Sequence, residues 1–300
     1  MARPRTERSS HSGVAQLLEA VGPLQPQRLV LTILGNHARG FRLVWSGGLV
    51  ELLADFGFSS GAARVALGRL VQRGYLARVK EGRRVHYRLT NDGEHLMTEG
   101  DRRIFSFGTE SATGDTWTVV WHSMPDEERM KRAALARRLR FLGFGPVQDG
   151  TWVSPHDRER EVVQLLIDLG ATDYAGVLLG RPAKTLDFGS LISRAWDLEQ
   201  IEDRYRAFIS SFGRYAEPAV QRRLDDRDAF RVLTLISDVF KGFPSTDPEF
   251  SPDVMHGASR SNAVETFHGV YEALAEPAQR HFDAVAVSSV AVARPRRSRS

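Results

Sequence analysis

Three hundred residues, 42% hydrophobic and 26% charged, make a globular chain with apolar mass for two or three cores. Cysteine is absent, which excludes disulfides, thiol catalysis and cysteine-ligated zinc, and no apolar run approaches the ~20 residues of a transmembrane helix. The net charge of +4 is unevenly spread: from Ser59 to Thr90 eight Lys/Arg face one acid, Glu81, and four more arginines follow from Arg294 onward. A basic block set against an acidic remainder is the electrostatic footprint of a polyanion-binding module.

In chain order, "MARPRTERSSHSG" is polar and aperiodic, so residues 1–22 are expected to be disordered. The stretch lacks the apolar centre of a signal peptide, which fits a cytoplasmic protein. "QPQRLVLTILGNHA" then spaces Leu29, Ile33 and Leu34 as a helix does. A second helix follows in "SGGLVELLADFG", with Ser46 read as its N-cap and Gly57 as its terminator.

Residues 57–61, "GFSSG", match the G-x-S-x-G nucleophile elbow of serine hydrolases. That elbow needs a buried strand running into the serine. A helix precedes Ser59 instead, so Ser59 reads as the N-cap of "SGAARVALGRLVQRG", and the whole as helix-turn-helix. At about 100° per residue, Ala63, Ala66, Leu67 and Leu70 share the inner side. Val65 and Gly68 lie opposite, flanked by Arg64 and Arg69, an arrangement suited to a major groove. A surface helix with one stray valine is the competing reading.

"YLARVKEGRRVHYRLT" alternates on both sides of Glu81-Gly82 and reads as a hairpin, a wing whose tip could enter a minor groove or clamp phosphates. The candidate contacts to a double-stranded DNA operator are Ser59, Ser60, Arg64, Val65, Gly68 and Arg69 on the helix, with Lys80, Arg83, Arg84, His86 and Arg88 on the hairpin. The winged helix-turn-helix domain is placed at residues 23–108, closing with the helix "TNDGEHLMTEGDRRIFSFG" and a Gly/Ser/Thr linker, "GTESATGD".

From residue 114 to 182 the order β-α-β-α-β, with a further strand expected around Pro146–Val147, suggests a ferredoxin-like α+β sandwich that serves dimerisation. Residues 187–290 are mostly helical, and 291–300 form a basic tail expected to be disordered. The fold class is therefore α+β in three parts.

"FSSGAARVALGRLVQRGYL", "RRLRFLGFGPVQDGTWVSPH" and "RAWDLEQIEDRYRAFISSF" together resemble the PaaX family of bacterial repressors of phenylacetate degradation. The resemblance runs from about residue 25 to 240. It implies a winged helix, a central domain similar to the small CRISPR-associated nuclease and a helical C-terminal domain. It further implies a homodimer that leaves its operator when an aromatic acyl-coenzyme A thioester binds. The family's C-terminal Trp-Pro-Gly is missing, since no tryptophan follows Trp196. For such an effector, Arg137, Arg138 and Arg140 are candidates for the phosphates, and Trp152 or Trp196 for the acyl end. A solvated helix face and two core tryptophans are the competing reading there.

An enzyme is not expected, and neither is a cofactor or a metal. A nuclease on the central domain would need a carboxylate at the end of its first strand, where the text reads Trp121-His122-Ser123. The histidines show no metal-ligand spacing. Ser154, His156 and Asp157 stand too close in sequence for a triad, and His156 reads as a packing or capping residue.

Overall fold

The computed structural model describes residues 7–40, 42–108, 116–183, 189–250 and 258–286. Helix α1 (Glu7–Ala20) corrects the expectation of a disordered start. Its Val14 and Leu17 lie three residues apart, on one side, and both are buried. Helix α2 (Pro26–His37) opens with proline in its first turn, where a missing N–H costs no hydrogen bond. Strand β1 (Val44–Trp45) runs straight into α3 (Ser46–Ala54), so the N-cap is Trp45 rather than Ser46, and no side chain closes that end.

Gly57 then takes φ 83°, a left-handed conformation natural to glycine, and the chain enters α4 (Ser60–Gln72). Strands β2 (Leu76–Glu81) and β3 (Arg84–Leu89) form an antiparallel hairpin, and α5 (Asn91–Ser106) leads away. Strand β1 pairs with the free side of β3, giving a three-stranded sheet of order β1-β3-β2.

The central region carries β4 (Trp117–His122), α6 (Arg129–Phe141), β5 (Gly145–Gln148), β6 (Thr151–Ser154), α7 (Glu159–Asp168) and β7 (Ala175–Gly180). The further strand expected around Pro146–Val147 is β5, joined to β6 by a tight turn in which Gly150 takes φ 71°. The four strands are antiparallel in the order β5-β6-β4-β7. Val120 and Trp152 pack there with Leu135, Leu139, Val162 and Leu166 in one core.

Helices α8 (Gly189–Ala195), α9 (Leu198–Phe212), α10 (Pro218–Gln221), α11 (Asp226–Phe240) and α12 (Ala258–Ala286) complete the described chain. Asp197 caps α9, accepting from the Gln200 amide at 2.9 Å. These helices do not make a third compact body. One unit gathers the described residues of Met1–Gly100, Arg214–Asp238 and Gly269–Ser300, and the other those of Asp101–Gly213 and Val239–His268. The basic tail at 291–300 and linker residues 109–115 lie outside the described residues.

In the first unit, polar groups of α11 and α12 tie down α2 and α3. Arg28 forks onto buried Asp238, its Nε 2.8 Å from Oδ1, and Thr32 donates to the same carboxylate at 3.2 Å. Asp55, just past α3, accepts from Arg227 Nε at 2.7 Å and from His281 Nε2 at 3.1 Å. At the other end of α3 a Cβ on Gly48 would meet the Val285 carbonyl oxygen at 2.5 Å, so that approach requires glycine. In the second unit, buried Asp247 accepts from Tyr205 Oη and Arg260 Nε, both at 2.6 Å. Arg260 also donates to the Phe250 carbonyl at 2.9 Å, so both charges keep their hydrogen bonds out of water.

Candidate nucleic-acid interface

Helix α4 is positioned from its first residue. Ser59 is extended (φ −66°, ψ 155°) and its Oγ accepts from the Ala62 amide at 3.2 Å, an N-cap rather than a nucleophile. Ala63, Ala66, Leu67 and Leu70 are at most 1% exposed, which fixes the helix by its inner face. That orientation leaves Ser59, Ser60, Gly61, Arg64, Val65, Gly68, Arg69 and Gln72 in solvent. Val65 is 54% exposed between the two arginines. A Cβ on Gly68 would meet nothing within 4 Å, so nothing inside the protein requires glycine there.

The hairpin turns through Gly82 and Arg83, with Glu81 opposite Arg84 and Gly82 at φ 60°. Glycine at the first of two loop positions suits a type II′ turn, which follows the twist of the strands. Leu76 and Leu89 pair at the base and are buried, while Lys80, Arg83 and Arg84 are exposed at the tip. The Arg84 guanidinium lies 5.9 Å from the Trp45 ring centroid. His86 departs from the expectation. It is 5% exposed, between Trp45 and Val79 in register, and its Nδ1 stands 3.7 Å from Glu81 Oε2. Alternation alone placed it outside, but the third strand β1 covers that position. Arg88 is half-buried, donating to the Leu89 carbonyl at 3.4 Å.

Two residues of this surface escape the sequence reading. Arg78 is exposed two residues before Lys80 on the same strand face, a signal legible in period 2. Trp45 belongs to a two-residue strand, too short for any pattern.

The effector candidates separate. Arg137 and Arg138 are exposed on α6, and Arg140 stacks over the Trp152 ring at 5.0 Å. Trp152 is 5% exposed within the central core. Trp196 meets Phe250 edge-on at 4.9 Å, and a Cβ on Gly145 would come within 2.6 Å of its ring. Both tryptophans are thus packed side chains. His156 is held by structure as well: its Nε2 is bonded to the Pro248 carbonyl and its own carbonyl accepts from Thr118 Oγ1 at 2.7 Å. Among the described residues no group of three or more His, Asp or Glu could hold a metal ion, and no helix is long and apolar enough to cross a membrane.

Comparison with known proteins places all of this in one family. Residues 25–93 match the PaaX-like protein family, 110–191 the PaaX protein central Cas2-like domain, and 196–284 the PaaX-like protein C-terminal domain. The chain belongs to the PaaX family. "Transcriptional repressor PaaX" of Escherichia coli (strain K12) is 26% identical over 213 residues, covering 68% of this chain and 66% of that protein, a little under two thirds of its length. A solved structure, "Uncharacterized protein Rv0674 from Mycobacterium tuberculosis", shares the fold at TM-score 0.51 and 21% identity, over 85% of this chain and 95% of its own. Every candidate DNA contact falls within the 25–93 match to the PaaX-like family, whereas Arg137, Arg138, Arg140 and Trp152 fall within the Cas2-like match.

Proposed function

We propose that this PaaX-family chain is a transcriptional repressor whose first unit is a winged helix-turn-helix reading an operator in double-stranded DNA. One observation carries the reading: α4 exposes Val65 between Arg64 and Arg69 on a face whose glycine, Gly68, serves no internal packing. Arginine forks match guanine edges or phosphates, a valine meets a thymine methyl, and a glycine lets backbone approach the groove. The hairpin tip, Lys80, Arg83 and Arg84, is the wing. It supplies phosphate or minor-groove contacts that set register.

The central domain, with its β-α-β-β-α-β connectivity, is a ferredoxin-like dimerisation module, and two copies read a palindrome with half-sites about one helical turn apart. A cytoplasmic address follows from that role. Family resemblance adds release by an aromatic acyl-coenzyme A thioester and control of a phenylacetate-type operon. Arg137, Arg138 and Arg140 are all solvent-facing and are the candidates for the thioester's phosphates.

A gel shift on the DNA upstream of the protein's own gene, at two salt concentrations, tests this. The wild type is expected to bind specifically, an Arg64→Ala, Arg83→Ala double variant to lose specific binding, and phenylacetyl-coenzyme A to release the wild type. Absence of specific wild-type binding at either salt would overturn the DNA-reading role. Binding indifferent to the thioester would keep the repressor and discard this effector.

A further inference from the structure

Helix α9 and residues 241–250, which follow α11, belong to the same unit, and two guanidinium groups meet that loop. Arg260 has its counter-charge in Asp247, which also accepts from Tyr205 Oη. Arg204 has no such partner. It lies half-buried across the Phe243 ring, 5.4 Å from the centroid, with Nη1 donating to Thr246 Oγ1 at 2.8 Å. Among the described residues no carboxylate pairs with it. The acids beside it on α9 are engaged elsewhere, Asp203 with Arg206 at 3.0 Å and Glu202 with Ser259. Around Asp247, two guanidinium groups and one carboxylate therefore leave one positive charge over. Burial pushes the Arg204 guanidinium below its usual range, with Tyr205 as the one neighbour pressing the other way. A charge withdrawn from water without a counter-ion is costly, and an anion removes that cost.

Two further features keep room for one. A Cβ on Gly242 would stand 2.9 Å from Arg204 Nη2, so glycine there leaves that edge of the guanidinium uncovered. In the same loop Glu249 takes φ 58°, the only positive φ of a non-glycine among the described residues, and strain of this kind gathers at ligand sites. With Nη1 given to Thr246, the Nε–Nη2 edge remains, two parallel N–H groups that grip a carboxylate or phosphate at two points. We propose that this edge of Arg204 binds the carboxylate or phosphate group of a small molecule, which supplies the missing counter-charge. The site goes beyond the DNA reading, since neither α4 nor the hairpin contributes a residue to it.

Thermal melts of the full chain in rising sodium phosphate or sodium acetate, with ionic strength held constant by sodium chloride, test the site. An anion that binds the folded chain raises its melting temperature by mass action. The wild type should gain more than Arg204→Gln with at least one anion, and the anion that gives the excess tells phosphate from carboxylate. Arg204→Gln should weaken that anion at least about tenfold. Arg204→Lys, which keeps the charge without the fork, should retain only part of the excess. Gly242→Ala, which sets a methyl group against Nη2, should weaken the anion too, and it carries the test should circular dichroism show Arg204→Gln unfolded. The exposed arginines of α4 and the hairpin offer phosphate a second place, so the Arg64→Ala, Arg83→Ala variant should keep the Arg204-dependent gain. No gain in the wild type with either anion, an equal gain in wild type and the Arg204 or Gly242 variant, or loss of the whole gain in the Arg64→Ala, Arg83→Ala variant would each overturn the proposal.

Discussion

Gly68 costs α4 about 0.5–1 kcal/mol relative to alanine, through the freedom its backbone loses on folding. No atom lies within 4 Å of the Cβ position, so a methyl group fits without displacing anything. Gly68→Ala is therefore expected to raise stability by about that amount in urea denaturation while lowering operator affinity. A variant that gains stability and binds DNA as before would detach the glycine from recognition. Ser59 separates the two roles in the opposite direction. Ser59→Ala removes the acceptor for the Ala62 amide and should lose about 1 kcal/mol. Ser59→Asp keeps the cap and should hold stability, yet a carboxylate on the end proposed to face the DNA backbone should weaken binding. The cap and the exposed Arg64–Val65–Arg69 face were legible from spacing alone, because helical periodicity is a local property. His86 was not, because its burial depends on Trp45, forty-one residues earlier, pairing across β3.

Helix α2 ends in a titratable group that its neighbours keep neutral. Burial pushes the His37 imidazole down from 6.5 to about 4, with Arg42 and His281 pressing the same way against Gln279 and Asp283. The ring stacks on Phe282 at 5.2 Å, and its Nδ1 lies 3.0 Å from Gln279 Oε1, so His37 ties the end of α2 to α12. Between about pH 6.5 and 4 the unfolded chain takes up a proton that the folded chain refuses. Stability contributed by the neutral ring is thus complete above 6.5 and lost as the pH falls towards 4, by up to about 3 kcal/mol. Thermal melts from pH 7 to 4 should show this slope, and His37→Gln should flatten it. Asp55 acts lower on the scale. Burial opposes its charge, but the hydrogen bonds from His281 and Arg227 and the Arg227 charge hold its carboxyl below the usual carboxylate range. Its contribution is present above the ordinary carboxylate value and disappears only as the pH falls through the depressed one. An equal slope in His37→Gln would assign the acid sensitivity to another group.

At the scale of the whole molecule, the charge distribution would govern the proposed binding to DNA. Each phosphate neutralised contributes about 0.9 to the slope of log affinity against log salt. Arg83→Ala should reduce that slope by about 1 per copy, hence about 2 for a dimer on a full operator, and should weaken cognate and unrelated DNA alike. Arg64→Ala should instead cost about 1–3 kcal/mol on the cognate sequence alone. Titrations at four or more salt concentrations on both DNAs distinguish them, and a uniform loss from Arg64→Ala would reassign it to the backbone.

The amino-acid sequence by itself determined the elements that depend on neighbours a few residues away. These are the paired helices around Gly57, the hairpin at Glu81-Gly82, the four central strands and the basic block from Ser59 to Thr90. Tertiary structure alone decided what depends on residues distant in the chain. It ordered α1 through Val14 and Leu17, folded parts of α11 and α12 into the same unit as α2–α4, and put Trp152 and Trp196 in packed interiors. The ties that do this, Arg28 to Asp238 and Asp55 to His281, span 210 and 226 residues. No periodicity reports a partner so far away: a carboxylate and a guanidinium look solvated in sequence until folding removes the water around them.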